Sequence, residues 1–145
     1  MVTVAIVGAT GAVGAELLSV LEKRNFPVDR LVALASARSE GTFLTFRGAK
    51  VPVQTLSPEA FNGVDIASFS AGATRSREYA PIAKAAGALI VDNSSAFRMD
   101  PEVPLVVPEV NPGALAHHHG LIANPNCVAA ILTVALAPLE RLSPI

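Results

Sequence analysis

The feature that most constrains this chain is a change of hydrophobic period across a run of glycines. Residues 3–7 form a continuous apolar stretch of the kind that suits a strand buried on both faces. The stretch stops at Gly8-Ala9-Thr10-Gly11-Ala12-Val13-Gly14. Beyond it the apolar positions fall at Val13, Leu17, Val20 and Leu21, the i, i+4, i+7, i+8 spacing of an amphipathic helix. Lys23 and Arg24 suit that helix's last turn, and Asn25-Phe26-Pro27 ends it. A second apolar run at 31–35 completes strand, glycine turn, helix and strand within about thirty-five residues, the length a βαβ crossover needs. The chain is thereby committed to the α/β class, with a doubly wound, mostly parallel sheet.

The remaining residues extend this order. Residues 42–46 and 51–54 read as hairpin arms around Arg47-Gly48-Ala49-Lys50, with Pro52 expected to confine the second arm to a sheet edge. Ser57 caps a short helix with Pro58 at its first position, ahead of a strand at 64–69 that ends at Ser70-Ala71-Gly72. Residues 74–86 are helical by composition, and Pro81 is expected to kink that helix or to mark its real start. Short strands at 88–91, 105–107 and 121–123 bring the sheet to about six strands. Asn124-Pro125-Asn126-Cys127 then opens a last helix.

Composition removes several function classes. Eleven Lys and Arg against twelve Asp and Glu leave a net charge of -1, so there is no basic footprint for nucleic acid or an anionic membrane. A single cysteine makes no intramolecular disulfide and no Cys/His metal set, which fits a reducing, cytoplasmic setting. His117, His118 and His119 are consecutive, so their side chains diverge and no metal is expected there. The first residues lack a basic n-region and a cleavage signal, so no export is expected. The chain is 51% hydrophobic and only 16% charged, against about 25% charged in ordinary domains. Its longest apolar stretch, 127–139, is interrupted by Thr133 and Pro138 and is shorter than the roughly 20 residues of a membrane span. The surplus apolar surface is therefore expected to lie under a second domain or subunit.

Two places carry chemistry. A glycine turn between a buried strand and a helix lets backbone approach a pyrophosphate, while the free N–H groups of the helix start attract its charge. That reading gives a dinucleotide site at Gly8, Thr10, Gly11, Ala12 and Val13. After the second strand, where an acid would accept from the ribose of NAD, stand Ser36-Ala37-Arg38-Ser39. A guanidinium and two hydroxyls suit a 2′-phosphate, so NADP is predicted, with Glu40 the one opposing charge nearby. The second place is Cys127. Pro125 fixes the approach and Asn126 is a good cap, so the sulfur falls in a first turn where the helix dipole favours a thiolate and free amides could hold an oxyanion. A nucleotide cradle with an activated thiol points to hydride transfer involving a covalent sulfur adduct.

GATGAVG at 8–14, SARS at 36–39, DNSSAFR at 92–98, PEVN at 108–111 and NPNC at 124–127 together resemble the aspartate-β-semialdehyde dehydrogenase family, in order along the whole chain. The resemblance implies a Rossmann-like NADP-binding domain over residues 1–126 and the catalytic-cysteine helix over 127–145. It implies that the family's substrate and dimerisation domain, with its acid/base histidine and substrate-binding Arg and Glu, lies outside this chain. The implied reaction is reduction of L-aspartyl-4-phosphate by NADPH, on the route to diaminopimelate, lysine, threonine, methionine and isoleucine. Carried over, Cys127 would form the acyl-thioester, Asn126 would orient substrate, and Arg98 would bind the acyl-phosphate or free phosphate. Gly8 and Thr10 to Val13 would cradle the pyrophosphate. Ser36, Arg38 and Ser39 would meet the 2′-phosphate, and Ser70, Ala71 and Gly72 would line the cleft. Glu109 and Asn111 are left as structural. A homodimer or homotetramer is implied for the complete enzyme. Two other readings stay open: N-acetyl-γ-glutamyl-phosphate reductase, which performs the same chemistry on a longer acyl phosphate, and a non-catalytic nucleotide-binding module with an inert thiol.

Overall fold

Continuous burial decides the centre of the sheet. In the computed structural model, which describes residues 1–144, all five residues of strand β1 (Thr3–Val7) are buried. β1 pairs in parallel with β2 (Arg30–Ala35) on one side and β5 (Ile66–Phe69) on the other. Strands β3 (Phe43–Phe46), β4 (Ala49–Thr55), β6 (Leu89–Asp92) and β7 (Leu121–Ala123) complete a seven-stranded sheet in the order β3-β4-β2-β1-β5-β6-β7. Every pairing is parallel except the β3–β4 hairpin. The sheet is thus the doubly wound, Rossmann-like α/β sheet expected, and both hairpin arms belong to it.

Alternation along β1 divides the core into two layers. Val4 and Ile6 pack with Leu18 of helix α1 (Ala12–Lys23) and with Val28. Ala5 and Val7 face the other way, with Ala80 and Ala83 of helix α2 (Ala73–Ala85) and with Phe61, whose ring stacks on Phe69 at 5.9 Å. The buried stripe of α1 matches the predicted one in part, since Leu17 and Leu21 pack against this layer. Gly14 and Leu18 are buried, while Val13 and Val20 are 46% and 37% exposed. Gly14 packs directly against the backbone of Gly8 and Ala9.

Pro52 and Pro81 each lie inside an element. β4 is an interior strand, with β3 on one side and β2 on the other. The Val53 N–H donates to Thr42 O, so the preceding pair, Phe43 with Pro52, needs no hydrogen bond from the proline. The β2 ladder begins only at Val53, one residue beyond Pro52. The hairpin turn is also tighter than predicted, because Arg47 and Gly48 both take positive φ, 49° and 76°, the pattern of a type I′ turn. α2 runs through Pro81 and starts well before it. Pro81 and Arg77 lie on the exposed face, where water replaces the lost helical bond.

Two further elements are corrected. Residues 105–107 are not a strand. Only Leu105 bridges Ala123, because Asn111 diverts the local backbone by accepting from Val107 N at 2.7 Å and donating to Leu105 O at 3.0 Å. Asn111 is thus structural, as expected. The short helix after Ser57 is a 3-10 turn (Pro58–Phe61) that Ser57 does not cap. Glu59 in that turn accepts from its own amide and from the Ser57 hydroxyl, which holds its carboxyl below the ordinary range.

Helix α3 (Cys127–Glu140) has no buried residue. Val128, Ile131 and Leu132 are 67%, 73% and 55% exposed, so the apolar surplus noted in the composition sits here. No helix among the described residues is long and apolar enough to cross a membrane. Among those residues no three His, Cys, Asp or Glu side chains are grouped to hold a metal, and His118 Nδ1 accepts from Gly120 N at 3.1 Å.

Candidate nucleotide cleft and thiol centre

A parallel sheet delivers its loops to one edge, outside the carboxyl ends of the strands. Gly8 follows β1, Ser36 follows β2, Ser70 follows β5, Asn93 follows β6 and Asn124 follows β7. At β1 the glycines have distinct duties. Gly8 has φ +93°, and a Cβ there would stand 2.5 Å from Ser70 O. A Cβ on Gly14 would stand 2.4 Å from Gly8 O. Gly11 caps α1 with an ordinary φ of −80°, and its Cβ would meet only Gly8 O, at 3.3 Å. Gly8 and Ala9 donate to Leu34 O and Gly11 donates to Gly8 O, which locks the turn. The amides of Ala12, Val13 and Gly14, in the first turn of α1, have no intrahelical acceptor.

Beside this turn lies a cleft of about 340 Å³, lined among others by Gly8, Thr10, Ser36, Ala71 and Thr55. Thr55 Oγ1 is buried there without a hydrogen-bond partner, a gap that a ligand could fill. Thr10 Oγ1 reaches Ser39 Oγ at 3.5 Å, which joins the glycine turn to the loop after β2. Arg38 sits in that loop, in the 3-10 turn Ala37–Ser39, exposed and outside the cleft wall. Ser70 N donates to Val7 O at 2.8 Å, and Gly72, at φ +86°, caps α2.

The thiol centre lies at β6 and β7. Asn126 caps α3 by accepting from Val128 N at 3.0 Å. Cys127 is the first residue of α3 and is exposed, with its Sγ 4.0 Å from Asn126 Oδ1. The sulfur is therefore not packed among aliphatic side chains. The Cys127 and Ala129 amides, at the open start of the helix, have no intrahelical acceptor. Arg98 donates from Nε to Asn124 O at 2.9 Å and from Nη2 to Asn93 O at 3.1 Å. Of the predicted residues, Gly8, Thr10, Ser36 and Ala71 line one cleft, with Ser39 reaching Thr10, while Arg98 is tied to Asn124 in the loop that leads to Asn126 and Cys127.

Several participants escaped the sequence reading. Arg75 and Tyr79 line the cleft from α2, and Arg75 pairs with Glu78 at 3.1 Å. Their i, i+4 spacing just after the Ser70-Ala71-Gly72 turn was the available signal. Asn93 and Asn124 join the loops after β6 and β7, Nδ2 of Asn124 donating to Oδ1 of Asn93 at 2.7 Å. No local pattern marks that pair.

The family model described as "Semialdehyde dehydrogenase, NAD binding domain" matches residues 3–118. The aspartate-semialdehyde dehydrogenase of Synechocystis sp. is 55% identical over 144 residues, 99% of this chain and 43% of that protein. The Bacillus subtilis enzyme of the same name is 54% identical over 138 residues, 95% of this chain and 40% of that protein. The crystal structure of aspartate semialdehyde dehydrogenase II from Vibrio cholerae superposes with a TM-score of 0.95 at 50% identity, over 99% of this chain and 43% of that one. The chain thus spans less than half the length of these relatives. By sequence match, sheet order and glycine turn together, this chain belongs to the semialdehyde dehydrogenase family and comprises its NAD(P)-binding domain.

Proposed function

We propose that the protein carrying this chain is an NADPH-dependent aspartate-semialdehyde dehydrogenase, which converts L-aspartyl-4-phosphate to L-aspartate-4-semialdehyde and releases phosphate. The observation that carries this reading is a glycine-built cleft and an exposed thiol at a capped helix start on one sheet edge. Relatives of that name at 54–55% identity support it.

The cleft fits a dinucleotide. Its floor excludes even a Cβ at Gly8 and Gly14, its helix start offers free amides, and Thr55 Oγ1 lacks a partner. Gly8, Thr10, Gly11, Ala12 and Val13 would hold the pyrophosphate, and Ser70, Ala71 and Gly72 would form the wall. Ser36, Arg38 and Ser39 would meet the 2′-phosphate, and the Thr10–Ser39 contact and the unobstructed Arg38 guanidinium favour NADP over NAD.

Cys127 sulfur attacks the acyl carbon of the substrate, the bond from that carbon to the phosphate oxygen breaks, and a thioester forms. Arg98 stabilises the departing phosphate. The Cys127 and Ala129 amides hold the negative charge that develops on the carbonyl oxygen. Asn126 Oδ1 is committed to Val128 N, which leaves its Nδ2 to orient substrate. When bound, NADPH supplies the hydride that reduces the thioester to the aldehyde. The accompanying acid/base group comes from outside this chain. Residues 127–145 would belong with a further domain or a second subunit, in a homodimer or homotetramer, which the uncovered α3 supports. The lone cysteine supports a cytoplasmic setting.

The test is turnover of L-aspartyl phosphate and N-acetyl-γ-glutamyl phosphate by the protein at its relatives' full length. Aspartyl phosphate with NADPH is expected to be preferred. Cys127→Ser should lose turnover by about 10⁴-fold or more while keeping its NADPH affinity. Turnover retained in Cys127→Ser, or preference for the longer acyl phosphate, would overturn the reading.

A further inference from the structure

Asp92 is fully buried at the end of β6, and no cation pairs with it among the described residues. A buried carboxylate is tolerated only where its lone pairs are filled. Here hydroxyls fill them, Ser76 Oγ of α2 donating to Oδ1 at 2.6 Å and Ser94 Oγ to Oδ2 at 2.7 Å. Ser94 Oγ in turn accepts from Ala96 N at 3.0 Å, and Asp92 O accepts from Asn124 N at 2.8 Å. One residue therefore ties α2 to the loop that ends in Arg98 and to the loop that leads to Cys127. Arg98 uses Nε and Nη2 on the backbone carbonyls of Asn124 and Asn93, and its Nη1 has no acceptor among the described residues.

We propose that Asp92 is a positioning residue: through Ser94 it braces the loop at 93–98, so that Arg98 can bridge the two loops and keep Nη1 for the substrate's phosphate. The inference rests on the proposed function for its kinetic consequence, while the brace itself is testable without turnover. What the brace requires is an acceptor facing Ser94. Asparagine at position 92 meets that need, with its amide oxygen toward Ser94 and its NH₂ toward the Ser76 hydroxyl, whereas leucine fills the space without it.

In the enzyme at full length, run in the phosphate-consuming direction, Asp92→Asn should keep kcat and the phosphate KM within about threefold. Ser94→Ala should raise the phosphate KM about tenfold with the NADP KM within about twofold, and Asp92→Leu should do more. In the present chain, Ser94→Ala should speed hydrogen exchange at the Ala96 amide about tenfold, and Asp92→Asn should leave it unchanged. Asparagine as damaging as leucine, or phosphate and cofactor KM rising together, would overturn the proposal. If Asp92→Leu does not fold, Asp92→Asn and Ser94→Ala decide. If the unmodified enzyme fails to turn over, the functional reading fails and the exchange arm decides alone: unchanged exchange at Ala96 in Ser94→Ala refutes the brace.

Discussion

Helices α1 and α3 begin alike and are packed in opposite ways. Each follows a buried parallel strand, and each opens at the same sheet edge. α1 sinks Gly14 and Leu18 into the sheet, whereas α3, richer in aliphatic residues, buries nothing among the described residues. The contrast separates two determinants that are often merged. A helix start is local, fixed at α1 by the Gly8–Gly14 turn and at α3 by Asn126 after Pro125. Helix cover is not local, since it depends on what the rest of the molecule brings to the face. In α1 the stability of the helix and the shape of its binding turn are one property. In α3 the start is built while the apolar face contributes little to the fold of this chain.

The contrast can be broken most forcefully at the glycines. Gly8→Ala adds left-handed strain to a backbone clash, so about 4 kcal/mol of stability and most NADPH affinity should be lost in urea unfolding and cofactor titration. Gly14→Ala should cost nearly as much, and Gly11→Ala, with its ordinary φ, less than about 1 kcal/mol. Equal effects at all three would mean that the turn tolerates side chains generally. Next come matched truncations on the two helices. Leu18→Ala should destabilise the chain by about 3 kcal/mol and Ile131→Ala by less than about 0.5, because only the first leaves a cavity. A large loss at Ile131 would show that α3 is held in solution. Arg38→Ala should have a subtler effect, weakening NADPH about tenfold while leaving NADH alone, as read by fluorescence titration. Parallel loss for both cofactors would remove the 2′-phosphate role.

Much of this was legible because it is local. Five consecutive buried residues mark β1, a change of period marks α1, and an Asn before the cysteine marks the start of α3. Pro52 was misjudged as an edge residue because a strand proline's cost depends on whether its nitrogen faces a ladder hydrogen bond, which sequence does not state. Residues 105–107 have strand composition, but Asn111 takes Val107 N and Leu105 O, so pairing with β7 stops at a single bridge. In the site, glycine spacing and the capped cysteine carried their own physical signatures. The Arg98–Asn124 and Asn93–Asn124 bonds join residues 26 and 31 positions apart, and only the pairing of β6 with β7 brings them together.

The central claim is that the sulfur at the start of α3 is the group that takes the acyl chain. Mixing the enzyme with L-aspartyl phosphate in the absence of cofactor, quenching in acid and mapping peptides by mass spectrometry tests this most directly. The account predicts one aspartyl adduct per active site on the peptide containing Cys127, formed in step with one released phosphate. Phosphate release with no adduct, or an adduct on any other residue, would contradict it.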